Sequence, residues 1–281
     1  GMDERCGFER EIAIENGGRP PVRADIRSDL PGRPLPPVFI LHGFLGFKRW
    51  GWFPLLSRGI ARSGFHAVTV SFSMNGTDED TGMITRPDEF AANTVSREIE
   101  DLKTVLRFSR DGKLPLAIEH ENWGLFGHSR GGAVAILTAP YFPQIRSLVT
   151  WSTPSRLDRY TEKRKEEWKR AGRLDFWDSR AEAPLRLDYS YYLDIDRNRE
   201  RYDLPAAASR LKAAHLMVHG ERDAAVTLKE AEVLSEHQRK AIYRFEVIEG
   251  CGHTFGIRHP MESSTREFQK AFELTVGWFQ N

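Results

Sequence analysis

Short apolar runs alternate with amphipathic segments along most of the chain, after an opening stretch of different character. Residues 8–14 and 22–26 alternate apolar and polar positions around Asn16-Gly17-Gly18, which predicts an antiparallel hairpin. Later predicted strands lie at 38–41, 67–72, 123–126, 147–151, 215–219 and 242–248, and the first of them is a continuous apolar run. Helical spacing follows at 53–62, 95–108, from near residue 130, at 228–237 and at 265–279. Strands that are apolar on both faces must be covered on both, so the pattern predicts an α/β fold with a mostly parallel central sheet between helices.

Residues 155–208 interrupt this alternation. The segment is crowded with charged and aromatic side chains, as in YTEKRKEEW from Tyr160 to Trp168. We interpret it as an inserted helical cap. The rhythm resumes after it, so we expect one domain over residues 1–281, with 155–208 as the cap.

Composition and charge narrow the classes of partner. The 281 residues are 40% hydrophobic, enough for a sizeable core, and 41 basic against 40 acidic residues leave a net charge of +1. There is no global field to attract nucleic acid or an anionic membrane. The longest uncharged apolar stretch, 133–142, falls short of the roughly 20 residues of a membrane helix. The charged start lacks the apolar region of a signal peptide, so we expect a cytoplasmic protein.

The cysteines add little to this picture. Only Cys6 and Cys251 occur, far apart in the chain. Such spacing in a chain of this size does not suggest a disulfide framework. We therefore predict two free thiols.

The stretch GLFGHSRGGAV, residues 124–134, places a serine between glycines at a predicted strand-to-helix turn. A strand ending at Phe126 and a helix beginning near Arg130 leave so little chain that Ser129 must adopt a strained backbone, with its hydroxyl above the sheet edge. Gly127 and Gly131 remove Cβ atoms that would collide there. G-x-S-x-G in this setting is typical of a nucleophile elbow. Taken alone, the pentapeptide also fits a glycine-rich turn of the kind that cradles phosphate.

A second motif, LHGFL, ends the predicted strand at 38–41. In a hydrolase of this kind an oxyanion hole is built from the backbone N–H of the residue after the nucleophile, here Arg130, and an N–H at this position. We assign Phe44 as that second donor, with Leu45 as the alternative. The other interpretation is that His42-Gly43 merely turns the chain.

Two more motifs follow the last two predicted strands. HGERD provides Asp223 as an acid that orients an imidazole, with Glu221 as its competitor. GCGH places His253 on a glycine-rich loop, with His259 as the nearby alternative. The resulting order along the chain, Ser129, Asp223, His253, is the order of the α/β-hydrolase triad.

With HGF, GHSRGG, HGERD and GCGH together, the chain resembles the α/β-hydrolase serine hydrolases. Within them it is most similar to the dienelactone-hydrolase-like and prolyl-oligopeptidase-like esterase branch. The resemblance runs from about residue 38 to the end, apart from the cap, and implies a Ser129/His253/Asp223 triad. Arg130 departs from the pattern, because many relatives carry a small or apolar residue after the nucleophile. We expect its side chain either to pair with an acid in the loop 78–80 or to reach the substrate.

Aromatic side chains are the candidate walls of a substrate pocket. The sequence offers Phe44, Phe47, Trp50 and Trp52 on one side and the cap residues Trp168, Phe176 and Trp177 on the other. Such clusters also serve as core. If they face the serine, the substrate carries an apolar or aromatic group. Basic residues in 156–173 favour either an anionic substrate or simply an exposed, ion-paired helix.

The sequence therefore predicts a serine hydrolase that cleaves a small-molecule ester through an acyl-enzyme on Ser129. A peptidase or acyltransferase with the same triad, and a non-catalytic ligand-binding relative, are the alternatives. We expect no metal and no cofactor, because the spacing of His219, Asp223 and His253 fits no common metal-ligand pattern. Neither nucleic acid nor a membrane is an expected partner.

Overall fold

Strands of the computed structural model, which describes residues 6–181, 183–238 and 242–281, form one large sheet and two small hairpins. In chain order the strands are β1 (Phe8–Asn16), β2 (Arg19–Ser28), β3 (Pro37–Leu41), β4 (His66–Ser71), β5 (Thr77–Asp78), β6 (Met83–Ile84), β7 (Trp123–His128), β8 (Ile145–Trp151), β9 (Arg173–Phe176), β10 (Leu185–Asp188), β11 (Ala214–Gly220) and β12 (Tyr243–Ile248).

The large sheet has eight strands in the order β1-β2-β4-β3-β7-β8-β11-β12. From β4 to β12 all neighbours pair in parallel, whereas β1 with β2 and β2 with β4 pair antiparallel. The predicted opening hairpin and the mostly parallel sheet are both confirmed. Parallel pairing brings the carboxyl ends of β3, β7, β8, β11 and β12 to one edge of the sheet.

Helices cover both faces of this sheet. They are α1 (Phe53–Arg62), α2 (Pro87–Ala92), α3 (Val95–Arg110), α4 (Arg130–Thr138), α5 (Glu162–Ala171), α6 (Tyr189–Arg197), α7 (Leu204–Arg210), α8 (Leu228–Glu236) and α9 (Arg266–Gln280). Alternate residues of β3 show why the strand is apolar throughout. Phe39 and Leu41 join the core that contains α3 and α4, whereas Val38 and Ile40 join the core that contains α1 and α9. Each face of the sheet therefore has its own hydrophobic core.

Helix α3 begins at a side-chain cap that matters for the site. The hydroxyl of Thr94 accepts a hydrogen bond from the Arg97 N–H at 3.2 Å, which satisfies one of the free donors of the first turn. Glu98 lies in the same turn, where the helix dipole favours a negative charge. By fixing where α3 begins, the cap also fixes the position of the buried Glu98 side chain.

The segment 155–208 contains three helices, α5, α6 and α7, in keeping with the prediction, and adds an antiparallel hairpin, β9–β10, that the sequence did not predict. The reason lies in two short stretches, RLDF and LRLD, in which every second residue is more deeply buried than its neighbours. This alternation of period two favours strands, and the surrounding charge conceals it.

Two smaller expectations can also be compared with the structure. Cys6 and Cys251 are free, buried thiols, as predicted. Of the helices within the described ranges, none has both the length and the apolar character needed to cross a bilayer.

Candidate active site

The chemical motifs of the sequence all follow strands that end at the same sheet edge. His42 follows β3, Ser129 follows β7, Asp223 lies beyond β11, and His253 lies beyond β12. These strands are members of one parallel array, so residues far apart in sequence meet at its carboxyl edge. Open α/β sheets bind ligands at this edge.

Ser129 occupies the sharp turn that the sequence predicts. It has φ 56° and ψ −122°, and helix α4 begins at the next residue. Such a conformation costs a non-glycine residue on the order of 1–3 kcal/mol and persists only where neighbours enforce it. Here the Ser129 N–H donates to the Trp151 carbonyl of β8 at 2.7 Å, and its carbonyl accepts from the Gly132 N–H at 2.9 Å. The backbone is thus held on both sides, and the serine is partly exposed.

The flanking glycines are required by close approach of main chain. A Cβ at Gly127 would run into the backbone of Gly131, and a Cβ at Gly131 would run into the carbonyl of His42. Both obstacles are backbone atoms of packed elements, which cannot move aside without displacing the turn. The expected steric reason for G-x-S-x-G is therefore present.

Asp223 and His253 form a direct pair. His253 Nδ1 lies 2.8 Å from Asp223 Oδ2, while Asp223 Oδ1 accepts the N–H groups of Ala225 and Val226 at 3.0 and 2.8 Å. Burial opposes ionisation of Asp223, but the hydrogen bond and charge of His253 and the Val226 N–H outweigh it and hold its pKa below the ordinary value. An ionised Asp223 accepts a hydrogen bond from the Nδ1–H group, which leaves Nε2 of a neutral His253 as the basic nitrogen.

The two competing residues have other partners. Glu221 is exposed and accepts the Gly250 N–H at 3.2 Å. His259 accepts the Gly51 N–H on Nδ1 at 2.8 Å and lies against the Trp50 ring, with centroids 6.4 Å apart. Neither takes part in the Asp223–His253 pair.

His253 is anchored beside the serine turn through its carbonyl. That oxygen accepts from His128 Nε2 at 3.0 Å and from the Ser152 hydroxyl at 2.9 Å. The rings of His128 and His253 are 4.9 Å apart. The Ser129 hydroxyl itself makes no hydrogen bond within the described part of the chain. His253 therefore lies beside the Ser129 turn, and among the described residues no hydrogen bond links the two side chains.

The loop after β3 fixes a peptide group against the serine turn. The Gly43 carbonyl lies 2.8 Å from His42 Nδ1 and accepts from the Gly46 N–H at 3.0 Å, while His42 Nε2 accepts the Phe72 N–H at 3.0 Å. This network assigns the His42 proton to Nδ1. Burial lowers the pKa of His42 to about 3, so the ring stays neutral. Because the C=O and N–H of a trans peptide point in opposite directions, anchoring the Gly43 carbonyl also sets the direction of the Phe44 N–H.

This peptide group packs directly on the turn. A Cβ at Gly43 would lie 2.9 Å from the His128 carbonyl, 3.0 Å from Ser129 Cβ and 3.4 Å from the Arg130 nitrogen. No described residue accepts the N–H of Phe44 or Arg130. The first N–H groups of a helix have no partner within it, and Arg130 is the first residue of α4. Two free donors therefore lie near Ser129. Leu45, the alternative donor, has φ 64°.

The aromatic residues proposed as pocket walls divide into two groups. Phe44 is 39% exposed and contacts Phe176, with centroids 5.8 Å apart, and Trp177 is 65% exposed. Trp50 is only half-buried. In contrast, Trp52, Phe47 and Trp168 are buried.

Trp168 in particular is not placed to line a pocket. Its indole N–H donates to the Leu187 carbonyl at 2.9 Å, and its ring is surrounded by Tyr160, Tyr189, Tyr191 and Tyr192. It is the core of the inserted segment. In sequence, an aromatic residue in a charged helix has the same appearance whether it lines a substrate pocket or forms the core of the inserted segment.

The expected partner of the Arg130 side chain is also wrong. Arg130 does not reach the loop 78–80 but pairs with Glu98 through two hydrogen bonds of 2.8 and 3.0 Å. Glu79 of that loop pairs instead with the buried Lys48. A signal for Glu98 existed in the sequence: it lies three residues after Val95 and four before Leu102, on the apolar face of α3.

A polar cavity of about 560 Å³ lies to one side of this constellation. Its lining includes Glu11, Arg49 and Glu79, and Ser129 is not part of it. The neighbouring Lys48 is buried and pairs with Glu11 at 2.7 Å and also with Glu79. Because these charges pair with one another, the charged side chains of the cavity wall have a structural explanation. The candidate active site is therefore the region around Ser129 and not this cavity.

Comparison with known proteins establishes the family of the chain. Residues 38–268 match the model of the alpha/beta hydrolase family. No curated protein matches the chain by sequence.

Solved structures extend the match over nearly the whole chain. The esterase domain of a Rhodothermus marinus protein has 18% identity and a TM-score of 0.64, covering 97% of this chain and 98% of that one. Est1E from Butyrivibrio proteoclasticus with bound ferulic acid has 17% identity and a TM-score of 0.70, covering 96% and 100%. A dienelactone hydrolase from Anabaena variabilis has 15% identity and a TM-score of 0.59, covering 97% and 96%. At these identities the likeness establishes the fold.

Proposed function

Since the chain belongs to the alpha/beta hydrolase family, we propose that it is a serine hydrolase that cleaves carboxylic esters through an acyl-enzyme on Ser129. One observation carries the proposal. At the sheet edge where β7 delivers a strained serine at a helix start, a buried carboxylate holds His253 by Nδ1 at 2.8 Å. A serine, a base and a group that orients the base are the three parts of nucleophilic acyl transfer.

The first half of the reaction follows from these groups. Nε2 of neutral His253 removes the proton of the Ser129 hydroxyl as the oxygen attacks the ester carbonyl carbon. The carbonyl oxygen becomes negative and accepts the N–H groups of Phe44 and Arg130, the second of which also lies at the positive end of the α4 dipole. Protonated His253 gives its proton to the leaving alkoxy oxygen, and an alcohol departs. Asp223 stabilises the imidazolium between these steps.

The second half repeats the first with water. His253 removes a proton from water as the water oxygen attacks the carbonyl carbon of the Ser129 ester. The second oxyanion is stabilised by the same two N–H groups. Return of the proton to the Ser129 oxygen breaks the acyl bond and releases a carboxylic acid. The Ser129 hydroxyl has no hydrogen bond to any of the described residues, so the proposal requires that its bond to His253 forms when substrate is bound.

The surroundings favour an apolar or aromatic substrate group. Phe44 is an exposed aromatic residue on the loop that provides the proposed donors, Phe176 packs against it, and the exposed Trp177 follows Phe176 in the chain. Aromatic surface of this kind binds apolar groups with little ordering cost. The ferulic acid bound to Est1E is an aromatic acid, and we include its methyl ester among the test substrates.

The proposal is tested by initial rates on p-nitrophenyl acetate, butyrate and octanoate, methyl ferulate, and the p-nitroanilide of the best acyl group. We expect ester hydrolysis by the wild type, with the anilide cleaved far more slowly, and none by Ser129→Ala. A folded wild type that turns over no ester contradicts the proposal. Faster cleavage of the anilide would assign the site to a peptidase instead.

A further inference from the structure

The side chain of Arg130 is buried although its residue follows the proposed nucleophile. The guanidinium is 11% exposed and its partner Glu98 is 2% exposed. Burial alone would lower the pKa of Arg130, but the charge and hydrogen bonds of Glu98 and Tyr191 outweigh it and raise the pKa. A two-bond Arg–carboxylate pair of this kind fixes the plane of the guanidinium.

This plane is a contact surface for two aromatic rings. The Arg130 guanidinium carbon lies 5.1 Å from the centre of the Phe44 ring and 5.6 Å from that of Tyr191. Nη1 also donates to the Tyr191 hydroxyl at 3.3 Å. Phe44 carries one of the two proposed oxyanion donors, and Tyr191 belongs to α6 of the inserted segment. Arg130 therefore contacts the oxyanion loop, α3 and the inserted segment at once.

The pairing pattern argues against direct recognition of an anionic substrate. Three of the five guanidinium N–H donors are occupied: Nε and Nη2 each donate to Glu98, and Nη1 donates to Tyr191. The positive charge is already balanced by one buried carboxylate. A substrate anion would have to compete with a partner held within 3.0 Å by two bonds.

We propose that Arg130 is a positioning residue: held by Glu98 and Tyr191, its guanidinium fixes the Phe44 ring and thereby the Phe44 N–H. This inference rests on the proposed esterase function. Contact with the guanidinium restricts movement of the Phe44 ring. The same residue provides the N–H that must meet the developing oxyanion. Loss of the Arg130 guanidinium leaves the Phe44 ring available to substrate but loosens a contact that matters in the transition state.

The test is a double-mutant cycle on kcat, with p-nitrophenyl acetate as the neutral ester and p-nitrophenyl hemisuccinate as the anionic one. Arg130→Lys keeps the charge beside Glu98 but removes the planar surface. We expect kcat to fall about 10- to 100-fold on both esters, a fraction of the effect of losing a whole oxyanion donor. KM should change little. Phe44→Ala should lower kcat similarly, and Arg130→Lys in that background should add little, because the two residues act through one contact.

Three results would overturn the inference while the wild type remains an active esterase. The losses of Arg130→Lys and Phe44→Ala could multiply in the double variant, KM could rise for the hemisuccinate alone, or kcat could be unchanged in a folded Arg130→Lys protein. The neutral double variant Glu98→Gln/Arg130→Gln, which leaves no unpaired buried charge, repeats the test if Arg130→Lys does not fold; it should also lower kcat. A wild type without esterase activity would instead overturn the proposed function itself.

Discussion

Ser129 and Ser152 follow neighbouring parallel strands with the same positive φ, yet their hydroxyls differ completely. Both have φ 56°, and each donates its N–H to the next strand, Ser129 to Trp151 and Ser152 to Val218. Ser152 is buried and its hydroxyl is used to hold the His253 carbonyl. Ser129 is partly exposed, its hydroxyl is unbound within the described residues, and a helix begins directly after it.

The comparison teaches that strain at a strand end does not by itself mark a nucleophile. What distinguishes Ser129 is a free hydroxyl, the helix start that places N–H groups beside it, and the glycines that permit the close approach. Ser152 lacks these features, and its hydroxyl instead holds the carbonyl of His253, the proposed base. The two serines thus form a natural matched pair for experiment.

The largest expected effect separates the pair directly. Ser129→Ala should lower kcat with p-nitrophenyl acetate by about 10⁵- to 10⁶-fold, because the acyl-enzyme cannot form. Ser152→Ala should stay within about tenfold of the wild type, since it removes one hydrogen bond worth about 1 kcal/mol and leaves the His128 bond to the same carbonyl. Comparable losses in the two variants would break the distinction.

A smaller effect is expected at the peptide group that packs on Ser129. Gly43→Ala places a methyl group 2.9 Å from the His128 carbonyl, so the loop must shift and misplace the Phe44 N–H. We expect kcat to fall about 10²- to 10³-fold, the usual effect of losing one oxyanion donor.

The matched control for this change is Gly32→Ala. A Cβ at Gly32 meets no atom within 4 Å, so the wild-type rate should be kept. Equal rates in Gly43→Ala and Gly32→Ala would show that the loop after β3 contributes no donor.

The smallest effect concerns the other group that holds the His253 carbonyl. Burial, followed by the nearby His253, lowers the pKa of His128 to about 3. Unfolded histidine titrates near 6.5, so below that pH the unfolded chain binds a proton that the folded chain refuses, and stability is lost as pH falls. His128→Gln keeps an N–H donor but cannot titrate. Between pH 7 and 5 the wild type should lose about 2 kcal/mol more unfolding free energy than the variant.

Urea unfolding at the two pH values measures this difference. Parallel pH dependence in wild type and His128→Gln would mean that His128 carries its proton in the folded protein. The hydrogen bond to the His253 carbonyl would then come from a charged His128, whereas the lowered pKa implies a neutral one.

Much of the fold could be predicted because its signals are local. The helix predicted over 53–62 has those bounds in the structure, and β3 is apolar throughout because its alternate residues enter two cores. Motifs at strand ends converge because parallel strands share an edge. Asp223 and His253 were predicted from the HGERD and GCGH motifs and from the triad order that the family resemblance implies, and their side chains lie 2.8 Å apart.

The remainder depends on packing across long sequence distances. The partner of Arg130 is Glu98, 32 residues away on α3, whereas Glu79 pairs with Lys48. Trp168 is enclosed by tyrosines that join it only once the inserted segment has folded. The hairpin β9–β10 was missed because its two strands are four residues each and lie in a charged stretch.

The central claim is that Ser129 is a nucleophile activated by His253 and Asp223. Its most direct test is reaction with a fluorophosphonate, followed by mass mapping of the labelled peptide and by the labelling rate of Asp223→Asn. We predict a single adduct on Ser129 and labelling slowed by about 10³-fold or more when the Asp223 carboxylate is lost. Labelling of Ser152 or no labelling of the folded wild type would contradict the claim, as would an Asp223→Asn rate equal to that of the wild type.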